Sequence, residues 1–264
     1  MVSDREGQLA WERRWSGPAA LAALAGSALV IASIVVGQTA GSADGTAEAL
    51  QDVDAHSAAT LIASALQAFG VGLMTLPLLY LFRAAAARSE AVRGQLVGVI
   101  VAAPLFLAIA LLLTGITSVQ AASEFVTDEV PRLTAQGVAL GSDRADDVAS
   151  DTIADVGLPR LLATGFGIGG QIGFTFALFY TALHAMRTGL LTRFWGSLGM
   201  ALGAVSFLFF PIPLLWFLYL GLLIAGSVPG GRQPAWESGE AEPWPTPGER
   251  AAQAMENDAG SSPD

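Results

Sequence analysis

QLVGVIVAAPLFLAIALLLTGITSV, residues 95–119, runs its whole length without an Asp, Glu, Lys or Arg. A bilayer core of about 30 Å takes roughly 20 apolar helical residues to cross, so the stretch reads as a membrane span. Gly17 to Val36, Ala59 to Phe82 and Leu161 to Met186 repeat the pattern. A fifth block, Phe194 to Val228, is too long for one tilted helix, and Pro211 and Pro213 at its centre interrupt any hydrogen-bond ladder. It reads as a tight hairpin of two short spans, 194–210 and 213–228. A single bent helix would instead make five spans and put the tail on the other side of the membrane.

Arginines orient the bundle. Arg5, Arg13 and Arg14 precede the first span, Arg83, Arg88 and Arg93 follow the second, and Arg187 and Arg193 follow the fourth. All eight fall on one side, which the positive-inside rule makes cytoplasmic. The loop from Gly37 to Ala58 carries Asp44, Glu48, Asp52 and Asp54 but no arginine, and reads as external. Trp11, Trp15, Tyr80, Tyr180 and Trp195 gather near the inner boundary, where amphipathic rings prefer to sit. Arginines ahead of an apolar run also suggest a secretory signal, but the run is too long for one.

The expected fold is all-α: a polytopic membrane helical bundle of six transmembrane helices with both termini cytoplasmic. A cytoplasmic N-terminal segment covers 1–16, and the transmembrane domain covers 17–228 with spans at 17–36, 59–82, 95–119, 161–186, 194–210 and 213–228. An outer loop fills 120–160. From 229 to 264 the chain turns to Pro, Gly, Glu and Ser, a composition that reads as a disordered cytoplasmic tail.

Composition narrows the chemistry. Hydrophobic residues make up 53% of the chain and charged residues only 14%, which sets it apart from an ordinary soluble domain. With no cysteine, thiol catalysis and thiolate metal sites are excluded. The thirteen cations are all arginine, which suggests a GC-rich genome, and the net charge of −10 argues against nucleic acid as a partner. No H-E-x-x-H or G-x-S-x-G pattern occurs, and the serines at depth (Ser27, Ser33, Ser64, Ser206) have no evident base. The residues point to no enzyme and no cofactor. Gly165, Gly167 and Gly170 match a dinucleotide fingerprint in spacing alone, because that motif needs a strand before it.

Within the spans, small residues stand out. Gly165, Gly169 and Gly173 recur every four residues on the fourth span, as Gly199 and Gly203 do on the fifth. Faces stripped of side chains let helix backbones approach closely. Packing inside the bundle is the favoured use, and a homo-oligomer interface or sliding surface is the other. Pro77 and Pro104 should kink the second and third spans. Gln67 and Gln171 sit at comparable depth and read as amides bonded across the bundle. His184, beside Tyr180 and Arg187, reads as an interfacial, water-exposed histidine. In the outer loop, Glu124 and Asp128, then Asp143, Asp147, Asp151 and Asp155, are spaced to line one face of two short helices. Val148, Ile153 and Val156 supply an apolar stripe. A helical acidic row is a solvated face more often than a Ca²⁺ or Mg²⁺ site, and His56 has no companion at metal-ligand spacing. In the tail, Trp236 and Trp244 stand among glutamates, and exposed tryptophans are unusual. Interfacial anchoring is the favoured reading, with docking on the bundle or on a cytoplasmic partner as alternatives.

Two segments near the C-terminus carry a resemblance. Arg187-Thr188-Gly189-Leu190-Leu191-Thr192-Arg193-Phe194, and the tail Pro234-Ala235-Trp236 with its later Glu242-Pro243-Trp244-Pro245, resemble an uncharacterised family of actinobacterial multi-spanning membrane proteins. The resemblance implies a cell-membrane location and no site. The functional expectation is a non-enzymatic helical bundle with a scaffolding or regulatory role, in contact with the lipid bilayer and a membrane or cytoplasmic protein. A transporter or channel for a neutral or apolar solute is the alternative.

Overall fold

The computed structural model describes residues 2–38, 44–206, 212–229 and 231–244. Among them every regular element is helical. α1 (Val2–Gly37), α2 (Thr46–Ala55), α3 (Ser57–Leu73), α4 (Thr75–Arg88) and α5 (Val97–Glu124) are followed by a wide π-type turn, Phe125–Glu129. Then come α6 (Val130–Ala135), α7 (Asp143–Asp155), α8 (Leu158–Arg187), α9 (Arg193–Val205), α10 (Leu214–Ala225) and a single turn, α11 (Ala235–Ser238).

Four helical rods are long and apolar enough to cross a membrane: Arg5–Gly37, Ser57–Arg88, Gly94–Ala135 and Leu158–Arg187. Their outward side chains are large and apolar, among them Leu21, Phe69, Phe106, Ile109, Leu161, Ile172 and Phe179. A soluble protein rarely shows so much contiguous apolar surface. The hairpin expected over 194–228 is shorter than its sequence suggests. α9 and α10 have 13 and 12 residues, rising about 20 and 18 Å, and the chain between them at 207–211 lies outside the described residues.

The rods close a ring. α1 packs on α3, α3 on α5, α5 on α8, α8 on α9, and α10 returns to α1, while α4 touches α1, α5, α8 and α10. α3 and α4 form one crossing that breaks at Met74, whose N–H is shared between the Gly70 and Val71 carbonyls. Pro77, the third residue of α4, has no N–H to give the Leu73 carbonyl, so the ladder cannot run through. Residues 2–16 of the expected N-terminal segment are the first turns of α1, which continues without interruption past Pro18.

Glycines set the closest contacts, in a different register from the one expected. A Cβ on Gly170 would lie 2.5 Å from the Leu107 nitrogen, and one on Gly173 would lie 2.6 Å from the Ala103 Cβ. Gly165 and Gly169 face open space. The α8 glycines that meet α5 are Gly167, Gly170 and Gly173, against Ala110, Leu107 and Ala103, because residues three apart stay near one face of a 3.6-residue helix while repeated steps of four drift off it. Gly199 and Gly203 do pack within the bundle. A Cβ on Gly199 would meet Trp216 and Ala182, and one on Gly203 would meet the Thr175 carbonyl. Gly26 and Gly70 form a further close crossing of α1 with α3, each backbone oxygen filling the other's Cβ position.

A second, smaller core sits over one end. Ala47 and Leu50 of α2, Ala121, Ala122 and Phe125 at the end of α5, Leu133 of α6, and Ala145, Ala149 and Val156 around α7 are buried together. α2 was not foreseen; it joins the expected outer-loop helices to form the cap. Asp146 on α7 ties them by accepting the Ala47 N–H at 2.8 Å, capping the start of α2. Asp143, Asp147, Asp151 and Asp155 line the exposed side of α7.

The α5–α8 glycine contact yields a direct test. Gly170→Ala should cost about 1–3 kcal/mol of overpacking and lower the midpoint of thermal unfolding in nanodiscs. Gly169→Ala should leave that midpoint unchanged.

Candidate functional site

At the end of the bundle opposite the cap, three segments far apart in sequence are locked by one buried ion pair. Arg88 ends α4 and Glu12 lies on the first turns of α1. Their side chains are 0% and 5% exposed. The Arg88 guanidinium grips both Glu12 carboxylate oxygens, with the Nη2 to Oε2 bond at 3.0 Å. It also donates from Nη1 to the Ala84 carbonyl at 2.8 Å. Nε and Nη2 both donate to the Ala235 carbonyl, at 3.0 and 2.8 Å. All five guanidinium N–H groups are thereby used. Gln8 adds a bond from its amide to Glu12 Oε1 at 2.9 Å.

The pair works because its charges are desolvated together. A buried ion pair adds little net stability over apolar packing, but losing one partner strands the other charge in a dry site at a cost of about 3–5 kcal/mol. The Ala235 carbonyl is the point at which the tail enters the network.

Aromatic rings close the pair from water. Trp11, Tyr80 and Trp236 form a three-ring stack with centroids 5.5 and 5.8 Å apart. Arg88 lies over the Trp236 ring at 5.8 Å and Arg83 over Trp11 at 5.7 Å. Tyr80 donates its hydroxyl to the Glu12 carbonyl at 3.2 Å.

The tail is held along a second line. After Arg187 the chain turns through Gly189, whose φ of 77° is the left-handed conformation that ends many helices. Leu190 N–H then bonds back to the Ala185 carbonyl at 2.8 Å. This turn presents a row of carbonyls to the tail. Trp236 Nε1 donates to Leu190 at 3.0 Å, Trp244 Nε1 to Leu191 at 2.9 Å, and the Glu242 N–H to Thr188 at 3.1 Å. The backbone of Glu242 occupies the space a Cβ on Gly189 would need. Arg193 donates to the Trp244 carbonyl at 3.2 Å. Farther back, Arg232 caps the last carbonyls of α10, Leu223 and Ile224. Arg5 pairs with Glu240, so the start of α1 and the tail meet at the same end.

The expectation of a disordered tail is thus overturned for residues 231–244; 245–264 lies outside the described residues. Trp236 is buried and Trp244 is 39% exposed, and both dock on the bundle rather than standing as free interfacial anchors. The α8–α9 turn and the tail at 234–244 prove to be each other's partners.

The remaining expected residues fall elsewhere. Gln171 does not reach Gln67: its amide donates to the Ser206 carbonyl at 2.8 Å, tying α8 to the end of α9. Gln67 is half-buried on α3. His184 is buried rather than water-exposed, its ring 4.3 Å from that of Tyr180. Among the described residues no group of His, Asp and Glu is assembled to hold a metal ion. Glu12 escaped sequence reasoning. A lone glutamate before an apolar run looks like solvated N-terminal polarity, and its partner lies 76 residues away.

No protein family, curated protein or solved structure matches this chain.

Removing either half of the pair should release the tail. Arg88→Met should lower stability by about 3–5 kcal/mol and open Glu240 and Glu242 to a glutamate-specific protease. The paired change Glu12→Gln with Arg88→Met should be less destabilising than the sum of the two single changes, as a double-mutant cycle by thermal unfolding would show.

Proposed function

We propose that this is an integral membrane protein of the cell membrane that works as a non-enzymatic regulatory or scaffolding bundle, its C-terminal tail being the element that is docked or released. The observation that carries this reading is the tail dock: two indole N–H groups and one backbone amide meet three consecutive-turn carbonyls, and Arg88 joins that dock to α1. Such a contact spends hydrogen bonds and aromatic area on a segment that contributes no span. A bundle needing only to be inserted would not require it.

The topology belongs to the same proposal. The start of α1 and the tail share one end of the molecule, which supports an even number of crossings. In this reading α9 and α10 are the fifth and sixth crossings, which keeps the count even, and the positive-inside rule supports putting both termini in the cytoplasm. Transport of a neutral solute is the weaker reading, because the Gln171 amide is committed to Ser206.

The absence of native cysteine makes the topology directly measurable. A membrane-impermeant maleimide should label Ser150→Cys in intact cells, and Ala91→Cys and Ser261→Cys only after permeabilisation. Labelling of positions 150 and 261 from the same side would refute the even count. The regulatory role is tested by a photo-crosslinking residue at position 237 in living cells. Its set of crosslinked proteins should change when Trp236→Ala and Trp244→Ala free the tail, and an unchanged set refutes the role.

A further inference from the structure

A groove between α1 and α4 is graded from charged to apolar along its length. Trp11 and Arg83 stand at its mouth, Trp15 and Leu79 along its walls, and Pro18 and Leu76 at its inner end, around a cavity of about 160 Å³. The two helices run antiparallel here, since Trp11 faces Tyr80 and Arg83 at the tail-bearing end. From residue 11 to residue 18 the groove runs roughly 10 Å toward the bundle middle. Its inner walls are almost wholly apolar and it opens sideways, where Trp15 is 41% and Leu76 39% exposed. In a membrane that opening faces lipid.

The mouth is cationic. Arg83 is exposed and rests on Trp11, and among the described residues no carboxylate pairs with it. Glu12, the nearby acid, is committed to Arg88. Guanidinium groups match phosphate oxygens in charge and planar geometry, and a tryptophan pair at the same level suits the headgroup boundary.

We infer that this groove is a binding site for one anionic phospholipid, its phosphate held by Arg83 and an acyl chain lying against Trp15, Leu79, Leu76 and Pro18. A zwitterionic lipid fits less well, because it brings its own cation to a mouth where Arg83 has no acid to balance it. The inference needs only that the bundle be embedded in a bilayer, and does not depend on a regulatory role for the tail.

Native mass spectrometry of the full-length protein, equilibrated with equal amounts of phosphatidylglycerol and phosphatidylcholine, tests it. Wild-type protein should retain phosphatidylglycerol with a preference of roughly fivefold or more, the factor expected from one cation near an anionic headgroup. Arg83→Gln should abolish the preference and Arg83→Lys should keep most of it. Leu76→Trp, which fills the groove, should reduce retention of either lipid. Arg93→Gln, at the same end but outside the groove, should change nothing. An indifferent wild-type protein would overturn the inference, as would undiminished preference in folded Arg83→Gln protein. So would a Leu76→Trp variant that dissociates a dimer without altering lipid retention, because the groove would then belong to a second copy of the chain.

Discussion

The arrangement at the tail-bearing end depends on the buried pair of Glu12 with Arg88. A charge that leaves water must be fully compensated, and here every donor of the guanidinium is used, two of them on the carboxylate and two on a single backbone oxygen of the tail. That requirement couples three things that sequence distance would leave independent: the first turns of α1, the end of α4 and the path of the tail. The aromatic stack of Trp11, Tyr80 and Trp236 keeps the pair dry, and the pair keeps the rings in register. Neither has an evident reason to form without the other.

Four rods long and apolar enough to cross a membrane call for such a division of labour. Between helices surrounded by lipid there is no hydrophobic drive to associate, so close backbone contact and hydrogen bonds hold the bundle. The glycine crossings at Gly26 with Gly70 and at Gly170 with Leu107 supply the first, and Gln171 on Ser206 is an instance of the second. Ionisable groups are kept to the ends. At one end they form a solvated cap whose apolar residues make their own small core; at the other they form the arginine-bearing rim on which the tail lies.

How much of this could be read in the sequence depends on how local each cause is. The four long rods follow from uninterrupted apolar runs, and the break at Met74 follows from Pro77, because both are properties of adjacent residues. The exposed aspartate row on α7 follows from spacing alone. The glycine register was missed because Gly165, Gly167, Gly169, Gly170 and Gly173 lie close together, and spacing cannot say which of them a neighbour will meet. Gln171 and His184 were misplaced for a related reason: a polar side chain takes whatever partner tertiary structure brings, here Ser206 and Tyr180. Glu12 carried no signal at all. The tail's tryptophans were conspicuous, but their acceptors are backbone carbonyls, and a carbonyl exposed by the Gly189 turn looks like any other in a sequence.

Hydrogen–deuterium exchange across residues 231–244, in the intact protein in nanodiscs, tests the locked tail most directly. The Trp236 and Glu242 amides bond to the Gln233 and Thr188 carbonyls, so both should exchange far more slowly than in a free peptide, and that protection should vanish in Arg88→Met. Exchange of the whole segment at the free-peptide rate in the wild-type protein would contradict the account.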